Sequence, residues 1–496
     1  MTTRAEDILE TDVLDEGGAD AAAILNEGRD ATFRGWVVPA IIGSALLMQT
    51  LNATSINNAL PAMAKALHVE PLRLNLAITM YLLASAVFLP ISGWMADRFG
   101  AKRILMIAMV LYASASAACG FATSLPMLVA FRLAQGCAGA MMGPVGRLVL
   151  LRTTPKSELV GAMSVVTMPA LLGPVVGPVL GGAIVTFVSW RWIFFLNLPI
   201  AFAGVLLVRA FVPNVKEQDV LPIDWPGILL TGFGLAGLIL GFENLGRDVL
   251  PPLAVAGLFG GGFACLTLYW AHARRNPHAI IDLSIFRIPT FRASVVGGAF
   301  FRFVPGATPF LLAMLLQVGF GMSAFAAGLM TFVSAVGALV MKTTAPPILR
   351  RFGFRSVLMV NGLICSASFM VYALFKIDTP HWLIMVALAV GGFFRSLQFT
   401  SLNGMAYADL EQTQMSRGTT TASMVQQFMQ SVSIGFAAML LHFLMLRRGE
   451  THLTGATVTP AFAIIGAITL ISILWFSRLP ADAGDEMNNR SRPSAS

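Results

Sequence analysis

The stretch Gly93-Trp-Met-Ala-Asp-Arg-Phe-Gly-Ala-Lys-Arg103 connects two long apolar runs and decides how the rest of the chain is interpreted. Gly93 removes side-chain bulk, so two helices can approach closely there. Asp97 can accept hydrogen bonds at the N-terminus of a neighbouring helix, where the positive end of the helix dipole favours an anion. A related stretch, Leu349-Arg-Arg-Phe-Gly-Phe-Arg-Ser356, follows a later apolar run, and the two align on Arg-Phe-Gly. This internal repeat predicts two homologous halves.

The composition around this stretch indicates a membrane protein. Of 496 residues, 56% are hydrophobic and 12% are charged, whereas an ordinary soluble domain carries roughly 25% charged residues. Apolar runs of roughly twenty residues, the length that crosses a bilayer as a helix, follow one another along most of the chain. We therefore predict an all-α membrane protein with fourteen transmembrane helices. The predicted spans begin at Trp36, Leu74, Arg103, Leu125, Val160, Trp192, Pro226, Leu250, Phe291, Ala324, Arg355, Pro380, Thr421 and Pro460.

The repeat and the order of the apolar runs divide the chain into five segments. Residues 36–212 and 273–478 are the predicted six-helix halves, and residues 213–272 hold two helices inserted between them. Residues 1–35 are acidic and lack the basic start and short apolar core of a secretory signal, so we expect a disordered cytoplasmic tail. Residues 479–496 are poor in apolar groups, and we expect a second disordered cytoplasmic tail there.

The basic residues predict which side of the membrane holds the termini. An even number of spans places both ends on one side, and Lys and Arg collect in cytoplasmic loops. The clearest clusters are Arg98, Lys102 and Arg103, then Arg274, Arg275, Arg287 and Arg292. Arg447 and Arg448 lie in a predicted outer loop and run against this rule. We predict a multi-pass protein of the bacterial inner membrane with both termini in the cytoplasm.

Several partner classes are excluded by the sequence pattern. The net charge of +8 is scattered between apolar runs and forms no extended basic face, so we expect no nucleic-acid partner. Four cysteines, Cys119, Cys137, Cys265 and Cys365, lie in apolar runs without CxxC spacing and are interpreted as small buried hydrophobes. No HExxH, GxSxG, P-loop or zinc-ligand pattern is present. We expect no metal, no cofactor and no enzymatic activity.

The 93–103 stretch resembles the signature loop of the major facilitator superfamily. The residues that carry this resemblance are Gly93, Asp97, Arg98, Gly100, Lys102 and Arg103. In that family the equivalent acid contacts the helix that corresponds here to the thirteenth span, near Arg417 and Thr421. The alternative interpretation is a basic topology signal without a gating role. The resemblance implies the major facilitator fold, in which two halves rock around a central site.

The fourth span contains Leu128-Val-Ala-Phe-Arg-Leu-Ala-Gln-Gly-Cys-Ala-Gly-Ala140, which resembles the buried-arginine motif of the superfamily. Arg132 and Gln135 fall on one face of this helix together with several glycines. A cation at this depth costs about 2.5–3.5 kcal/mol on insertion scales, so Arg132 should face the bundle interior and be paired. The alternative is that Arg132 snorkels to the outer interface.

The fifth span contains a motif, residues 173–182, that is similar to the motif of exporters within the superfamily. Its members are Gly173, Pro174, Gly177, Pro178, Gly181 and Gly182. Prolines remove backbone donors and glycines remove bulk, so this helix can bend and pack tightly against another. The motif favours efflux over uptake. The alternative is a kinked helix without that meaning.

Further stretches resemble the fourteen-helix drug:proton antiporters of the EmrB/QacA type. They are Trp190-Arg-Trp-Ile-Phe-Phe-Leu-Asn-Leu-Pro199 and the Asp224-Trp-Pro-Gly start of the seventh span. Met141-Met-Gly-Pro-Val-Gly-Arg147 and Ser396-Leu-Gln-Phe-Thr-Ser401 look closest to the MdtD-like proteins. The resemblance covers residues 36–478. It implies a secondary exporter of small amphipathic organic molecules of the multidrug type, which works by alternating access with proton antiport.

The first span departs from that family at one position. Family members typically read Asp-x-Thr-Ile-Val-Asn, whereas this chain reads Asn52-Ala-Thr-Ser-Ile-Asn57. A carboxylate can titrate and couple protons to conformation, but an amide cannot. Glu243, at the outer end of the seventh span, is the only acid inside a predicted span, and we favour a solvated interfacial acid over a coupling role for it. Asp97 is a second acid that can titrate, as part of a gate.

Two further cations lie in predicted spans, Arg302 in the ninth and Arg395 in the twelfth. Together with Arg132 they outnumber the acids available to pair them, which favours a positively biased cavity and an anionic substrate. The alternative is that backbone carbonyls or amides satisfy them. Lys342, near one end of the tenth span, can snorkel.

Polar residues at helical spacing predict the lining of the substrate cavity. These are Gln49, Asn52, Gln135, Gln398, Gln426, Gln427 and Gln430. Two other functions remain open: an exporter of an endogenous anionic metabolite without coupling at the first helix, and a non-transporting membrane sensor. The expected partners are a small-molecule substrate, the lipid bilayer, protons and a periplasmic adaptor protein. We expect a monomer.

Overall fold

Fourteen long apolar helices make up the described part of the chain. The computed structural model describes residues 36–154, 159–213, 222–245, 250–276, 279–411, 414–480 and 483, and these contain no strand. The helices are α1 Trp36–Ala66, α2 Pro71–Phe99, α3 Ala101–Gly120, α4 Leu125–Thr153, α5 Gly161–Phe187, α6 Trp192–Phe211, α7 Trp225–Asn244, α8 Pro252–Ala273, α9 Pro289–Gly319, α10 Ala324–Phe352, α11 Phe354–Leu374, α12 His381–Tyr407, α13 Arg417–Arg447 and α14 Gly455–Phe476. Each is long and apolar enough to cross a membrane. The all-α membrane fold and the number of spans are confirmed.

The helix starts differ from the predicted ones by a few residues. The largest difference is at α14, which was expected to begin at Pro460 and begins at Gly455. The hydroxyl of Thr454 accepts a hydrogen bond from the backbone N–H of Thr457, which caps this helix one turn earlier. Pro460 then lies inside the helix, in its second turn, where it removes one backbone N–H from the helical hydrogen bonds. Both predicted tails lie outside the described residues, except for positions 479, 480 and 483.

The two Arg-Phe-Gly stretches form the same local structure. Gly100 separates α2 from α3 with φ 94°, and Gly353 separates α10 from α11 with φ 74°. A side chain at this φ would be strained, so glycine is the residue that lets one helix end and the next begin without a loop. The sequence repeat therefore corresponds to a repeated helix–helix corner.

A basic side chain follows each of these corners and binds the last helix of the same half. The ammonium of Lys102 donates to the carbonyl oxygen of Arg209 at 2.8 Å, near the end of α6. The guanidinium of Arg355 donates to the carbonyl oxygen of Ser477 at 2.9 Å, just after α14. Cations at helix C-termini satisfy carbonyls that have no partner within the helix and interact favourably with the dipole. The same contact in both places supports two related six-helix halves.

The halves meet along two helix pairs, α5 with α10 and α2 with α13. At the second pair, the hydroxyl of Ser431 donates to the carbonyl oxygen of Thr79 at 3.2 Å. The inserted helices α7 and α8 pack on each other, and α7 also contacts α2 and α13. The inserted pair therefore lies beside one of the two junctions between the halves, and the other junction, α5 with α10, borders the cavity described next.

Candidate functional site

A cavity of about 380 Å³ lies between the halves. The first half contributes α1 and α5, and the second contributes α9, α10 and α12. Its walls are largely apolar. The polar and charged lining residues are Thr54, Asn57, Asn58, Thr308, Thr331, Ser334, Lys342 and Arg395. A concave, mainly apolar site with few polar groups is the usual form of a small-molecule site.

The bundle has two ends, and we call the one that holds residues 93–103 the loop end and the other the far end. Toward the far end, α5 and α10 touch backbone to backbone. A Cβ atom on Gly182 would lie 2.4 Å from the carbonyl oxygen of Ala324, and one on Gly328 would lie 2.3 Å from the carbonyl oxygen of Pro178. The backbone N–H of Phe325 also donates to the hydroxyl of Thr186 at 3.1 Å. This α5–α10 contact closes the cavity on its far side.

The motif of residues 173–182 packs its other face against α1. Three of its glycines, Gly173, Gly177 and Gly181, are spaced by four residues and leave no room for a Cβ atom beside α1. Across this close approach, Ser55 donates to the carbonyl oxygen of Gly177 at 2.9 Å. Asn58 donates to the carbonyl oxygen of Pro178 at 2.8 Å. The small residues thus allow side chains of α1 to bond the backbone of α5, as is common in membrane helix pairs.

On the loop side the helices are separated. A second cleft of about 830 Å³ lies along α5, and it shares Leu171, Val175 and Leu339 with the central cavity. Met163 and Met168 are among its other lining residues. The two spaces therefore adjoin each other at these residues, and the second cleft lies on the side of the cavity toward the loop end.

Arg395 lies near the middle of α12 and lines the cavity. Its guanidinium donates to the hydroxyl of Ser334 on α10 at 2.9 Å and, more weakly, to that of Thr308 on α9 at 3.4 Å. Both partners are neutral, and within the described residues no carboxylate forms an ion pair with Arg395. A cation this far from the membrane surface without a counter-charge is a default candidate for function.

Arg132 occupies the corresponding place in the first half but is fully enclosed. It donates to Asn52 Oδ1 at 2.8 Å, to Gln135 Oε1 at 2.7 Å and to the carbonyl oxygen of Ala77 at 3.1 Å. Its guanidinium also lies 4.2 Å from the ring centroid of Tyr81. Arg132 therefore faces the bundle interior, and the snorkelling alternative is wrong. Three donors of this group have no partner among the described residues: Asn52 Nδ2, Gln135 Nε2 and Arg132 Nη2.

Comparison with known proteins identifies the family. The family model for the Major Facilitator Superfamily matches residues 42–434. The chain belongs to this superfamily. It is 35% identical over 456 residues to a Salmonella heidelberg protein with the provisional name multidrug resistance protein MdtD, covering 90% of this chain and 95% of the relative. A Pectobacterium carotovorum protein of the same name is 36% identical over 449 residues, covering 89% of this chain and 95% of the relative.

Solved structures give the same fold. The crystal structure of a D-xylose–proton symporter matches with a TM-score of 0.62 at 14% identity, covering 91% of this chain and 98% of that one. A POT family transporter crystallised with 5-aminolevulinic acid matches with a TM-score of 0.64 at 13% identity, covering 89% and 95%. At such low identity these likenesses establish the fold alone.

In this major facilitator chain the signature loop pairs within its own half. Asp97 accepts a hydrogen bond from Arg152 at the end of α4 at 2.8 Å. The expected contact with the thirteenth span is not found among the described residues, because Arg417 is bonded instead to Asp282 at 3.4 Å. These two loop-end ion pairs are therefore each formed within one half.

Asp282 lies just before α9, outside the spans. Burial opposes its ionisation, but hydrogen bonds from Ser284 and the nearby Arg417 guanidinium outweigh this and hold the pKa of the carboxyl below its ordinary value. The ion pair is partly exposed, so its contribution to stability is small. It is a loop-end contact between the segment before α9 and the start of α13.

Glu243 is buried in this facilitator, with 2% of its surface exposed. Both its carboxylate oxygens accept from Asn75 Nδ2 at the start of α2, at 2.9 and 3.0 Å. A Cβ atom on Gly435 of α13 would lie 3.1 Å from Glu243 Oε1. The interpretation as a solvated acid is therefore wrong, because this acid is buried where the inserted pair meets one helix of each half.

The glutamines predicted to line the cavity lie outside its lining. Gln49 donates to Tyr81 and to the carbonyl oxygen of Gly139, and Gln398 bonds Asn361 and the carbonyl oxygen of Leu358. Asn52 and Gln135 bond Arg132, as described above. Gln426, Gln427 and Gln430 are half-buried on α13 and are not among the lining residues. Hydrogen bonds within each half hold the first four, which helical spacing alone does not reveal.

Arg302, the other cation expected in the cavity, is also outside it. It is 4% exposed and donates to the carbonyl oxygen of Ser294 on its own helix at 3.3 Å. Ser294 belongs to the π-helical segment Ala293–Gly297, which ends just over one turn before Arg302. The backbone-carbonyl alternative therefore holds for Arg302 and not for Arg395.

The cavity residues that the sequence analysis did not predict have short polar side chains. Asn57, Asn58, Thr308 and Ser334 lie in apolar helices, where hydroxyls and amides usually bond the backbone of their own or a neighbouring helix. The adjacent amides at 57 and 58 were a usable signal, since two neighbouring Asn residues in an apolar run have few ordinary uses. Lys342 was expected to snorkel; its side chain is exposed and also borders the cavity.

Proposed function

We propose that this protein exports small amphipathic organic molecules from the cytoplasm by alternating access. The central observation is a cavity between the halves that is closed on its far side by the α5–α10 contact and adjoined by a cleft toward the loop end. The MdtD relatives, named for multidrug resistance, support an exporter of this class. Transport by this mechanism requires no cofactor and no chemical step.

The orientation follows from the distribution of basic residues. Lys102, Arg103 and the other loop-end cations belong on the cytoplasmic side of an inner membrane, with both termini on that side. The described state is then inward-facing. A substrate reaches the cavity from the cytoplasm or from the inner leaflet through the cleft along α5. The α5–α10 contact then separates while the loop-end ends of the halves close together.

Proton antiport is the proposed energy source, and Asn52 cannot carry the proton. Glu243 is the acid best placed to do so, because it is buried where α7 meets α2 and α13. A buried carboxylate that gains or loses a proton changes the electrostatic balance of its surroundings by a full charge. At this junction, that change acts on both halves at once. Asp97 is a weaker candidate since it is paired and lies at the surface of the loop end.

Purified protein in inverted vesicles or proteoliposomes tests this proposal. Uptake of an amphipathic dye is measured with and without an imposed pH gradient, for wild type, Glu243→Gln and Asn52→Asp. We expect uphill accumulation by wild type that collapses with the gradient, and loss of that dependence in Glu243→Gln. In proteoliposomes the protein is reconstituted alone, so accumulation there would also show that transport needs no periplasmic adaptor.

One result would contradict the transport function, and another would contradict only the role of Glu243. A wild type that binds the dye but moves none, with or without a gradient, supports the membrane-sensor alternative. A wild type that pumps uphill while Glu243→Gln retains full dependence on the gradient removes Glu243 as the proton carrier and leaves export intact. Glu411→Gln, a change of the same type in a loop-end segment outside the spans, is the matched control.

A further inference from the structure

The fourth and twelfth helices carry the same short pattern, which falls at the same place in the two halves. Phe131-Arg-Leu-Ala-Gln135 lies in α4 and Phe394-Arg-Ser-Leu-Gln398 lies in α12. Arg132 reaches α1 through Asn52 and α2 through the carbonyl oxygen of Ala77. Arg395 reaches α9 and α10. Since α9 and α10 open the second half as α1 and α2 open the first, the two arginines are structural equivalents.

The two copies differ in what the glutamine does. Gln135 accepts from Arg132 and closes its cluster, which has no exposed surface at either side chain. Gln398 turns away to Asn361 and the carbonyl oxygen of Leu358 on α11. Arg395 is left with two hydroxyl partners and is only half-buried, at the cavity wall. The first copy is a closed structural cluster, and the second presents its cation to the cavity.

A second cation lies on the same cavity. Lys342, on α10, lines it toward the loop end together with Leu339. Among the described residues that line the cavity there is no Asp or Glu. A guanidinium has five N–H donors, of which the described hydrogen bonds of Arg395 use two. Arg395 is half-buried and Lys342 is exposed, and charged side chains inside a membrane bundle usually pair with one another or with polar groups. The cavity therefore has unused donors and an uncompensated positive charge.

We propose that Arg395 and Lys342 form an anion-binding subsite, and that the transported molecule is an amphipathic monoanion whose carboxylate binds there. Its apolar body would lie against Leu171, Val175 and Leu312, which line the same space. Arg395 is the main anchor, because a planar guanidinium matches a carboxylate in two parallel hydrogen bonds. Lys342 adds attraction near the loop-end side of the cavity. This inference rests on the proposed function and names its substrate class.

The experiment measures binding, so that it does not depend on transport. Purified full-length protein in a neutral detergent is titrated calorimetrically with 2-naphthoate, 2-naphthylmethanol and 2-naphthylmethylammonium, which share one apolar body and differ in charge. Variants are Arg395→Met, Arg395→Lys and Lys342→Met. Arg447→Met, an exposed arginine at the end of α13 outside the cavity, is the control for loss of one positive charge. Thermal unfolding of each variant shows that it remains folded.

The proposal expects wild type to bind naphthoate at least tenfold more tightly than the ammonium analogue. Arg395→Met should weaken naphthoate at least tenfold, about 1.4 kcal/mol, while leaving naphthylmethanol unchanged. Arg395→Lys should recover part of the loss, Lys342→Met should lose less than Arg395→Met, and Arg447→Met should match wild type. Equal binding of the three compounds, no naphthoate binding, or a folded Arg395→Met that binds naphthoate like wild type would overturn the subsite. Vesicle transport is then read separately: binding without movement refutes the exporter and leaves the subsite standing.

Discussion

Gly182→Ala should shift the conformational equilibrium of this protein away from the described state, because the added methyl group separates the two halves at the far end. The added Cβ would lie 2.4 Å from the carbonyl oxygen of Ala324 and 3.0 Å from the Cα of Phe325, whereas ordinary contact begins at 3.4 Å. Both neighbours are backbone, so no rotamer change relieves the clash, and α5 and α10 must separate by about 1 Å.

The magnitude follows from packing energies. Forcing an extra methyl group into a well-packed contact costs about 1–3 kcal/mol. This cost applies only while α5 and α10 touch, because a state opened at the far end has no Ala324 carbonyl against Gly182. The equilibrium between the two states should therefore move roughly 5- to 150-fold toward the far-end-open state.

Spin labels across the contact measure this shift. Cysteines at Val188 and Ser323, both exposed beside the contact, are labelled in a variant whose four native cysteines are replaced, and their separation is read by double electron–electron resonance. Gly182→Ala should add or enlarge a population with a longer distance. The matched controls are its neighbour Gly181→Ala and Gly161→Ala on the same helix.

The controls separate the two kinds of contact that α5 makes. A Cβ on Gly181 would lie 2.7 Å from Ser55 Cβ and 2.8 Å from its Cα, which is a contact within one half. Gly181→Ala should lower thermal stability without changing the distance distribution. Gly161 has no atom within 4 Å of its Cβ position, so its alanine variant should behave as wild type or be slightly stabilised. Unchanged distances in Gly182→Ala, or the same change in Gly181→Ala, would refute the reasoning.

Three further predictions concern charges. Asn52→Asp places a carboxylate beside the buried cation of Arg132, so a guanidinium–carboxylate pair replaces a guanidinium–amide hydrogen bond. The unfolding temperature, measured by differential scanning fluorimetry at pH 7, should therefore rise. A lower unfolding temperature would contradict the geometry described for this cluster. Asp282→Asn should cost about 0.2–1 kcal/mol of stability at pH 7, because the ion pair with Arg417 is partly exposed. Because the pKa of Asp282 is lowered in the folded protein, its carboxylate stabilises the fold above the unfolded-state pKa, and this stabilisation is lost as pH falls through the folded-state pKa. The difference in stability between wild type and Asp282→Asn should therefore begin to shrink at about pH 4 and keep shrinking as pH falls further, and a difference that does not shrink below that pH would contradict the ion pair. Asp97→Asn should cost a similarly small amount of stability, yet reduce vesicle transport far more than Asp282→Asn if the signature loop gates; equal transport in the two variants would argue for a topology signal alone.

The fold was predictable because the membrane restricts the backbone conformation of every residue that lies in it. Each segment in hydrocarbon must satisfy its own backbone, so run length and composition fix the helices. The Arg-Phe-Gly repeat added the halves, since glycine at Gly100 and Gly353 is needed for the same positive φ. Boundaries were less predictable where polar caps extend helices, as at Thr454.

The candidate site was harder to predict because helical spacing gives a face without its neighbours. Gln398 and Arg395 lie three residues apart, so helical spacing places them on the same face of α12. Gln398 nevertheless bonds inside the second half, whereas Arg395 borders the cavity. Glu243 was read as interfacial from its place near a helix end, whereas Asn75 and α13 enclose it. Only tertiary contacts distinguish these cases. The glycines of residues 173–182 were more informative, since close backbone approach is the usual reason for such spacing.

In each half, one cation bonds the end of the last helix. Lys102 does so at the end of α6, and Arg355 does so just after α14. The connection between α6 and α7 carries neither of these bonds. A polypeptide severed there and produced as two fragments should therefore reassemble in the membrane into a working protein, with each fragment already folded before it finds the other.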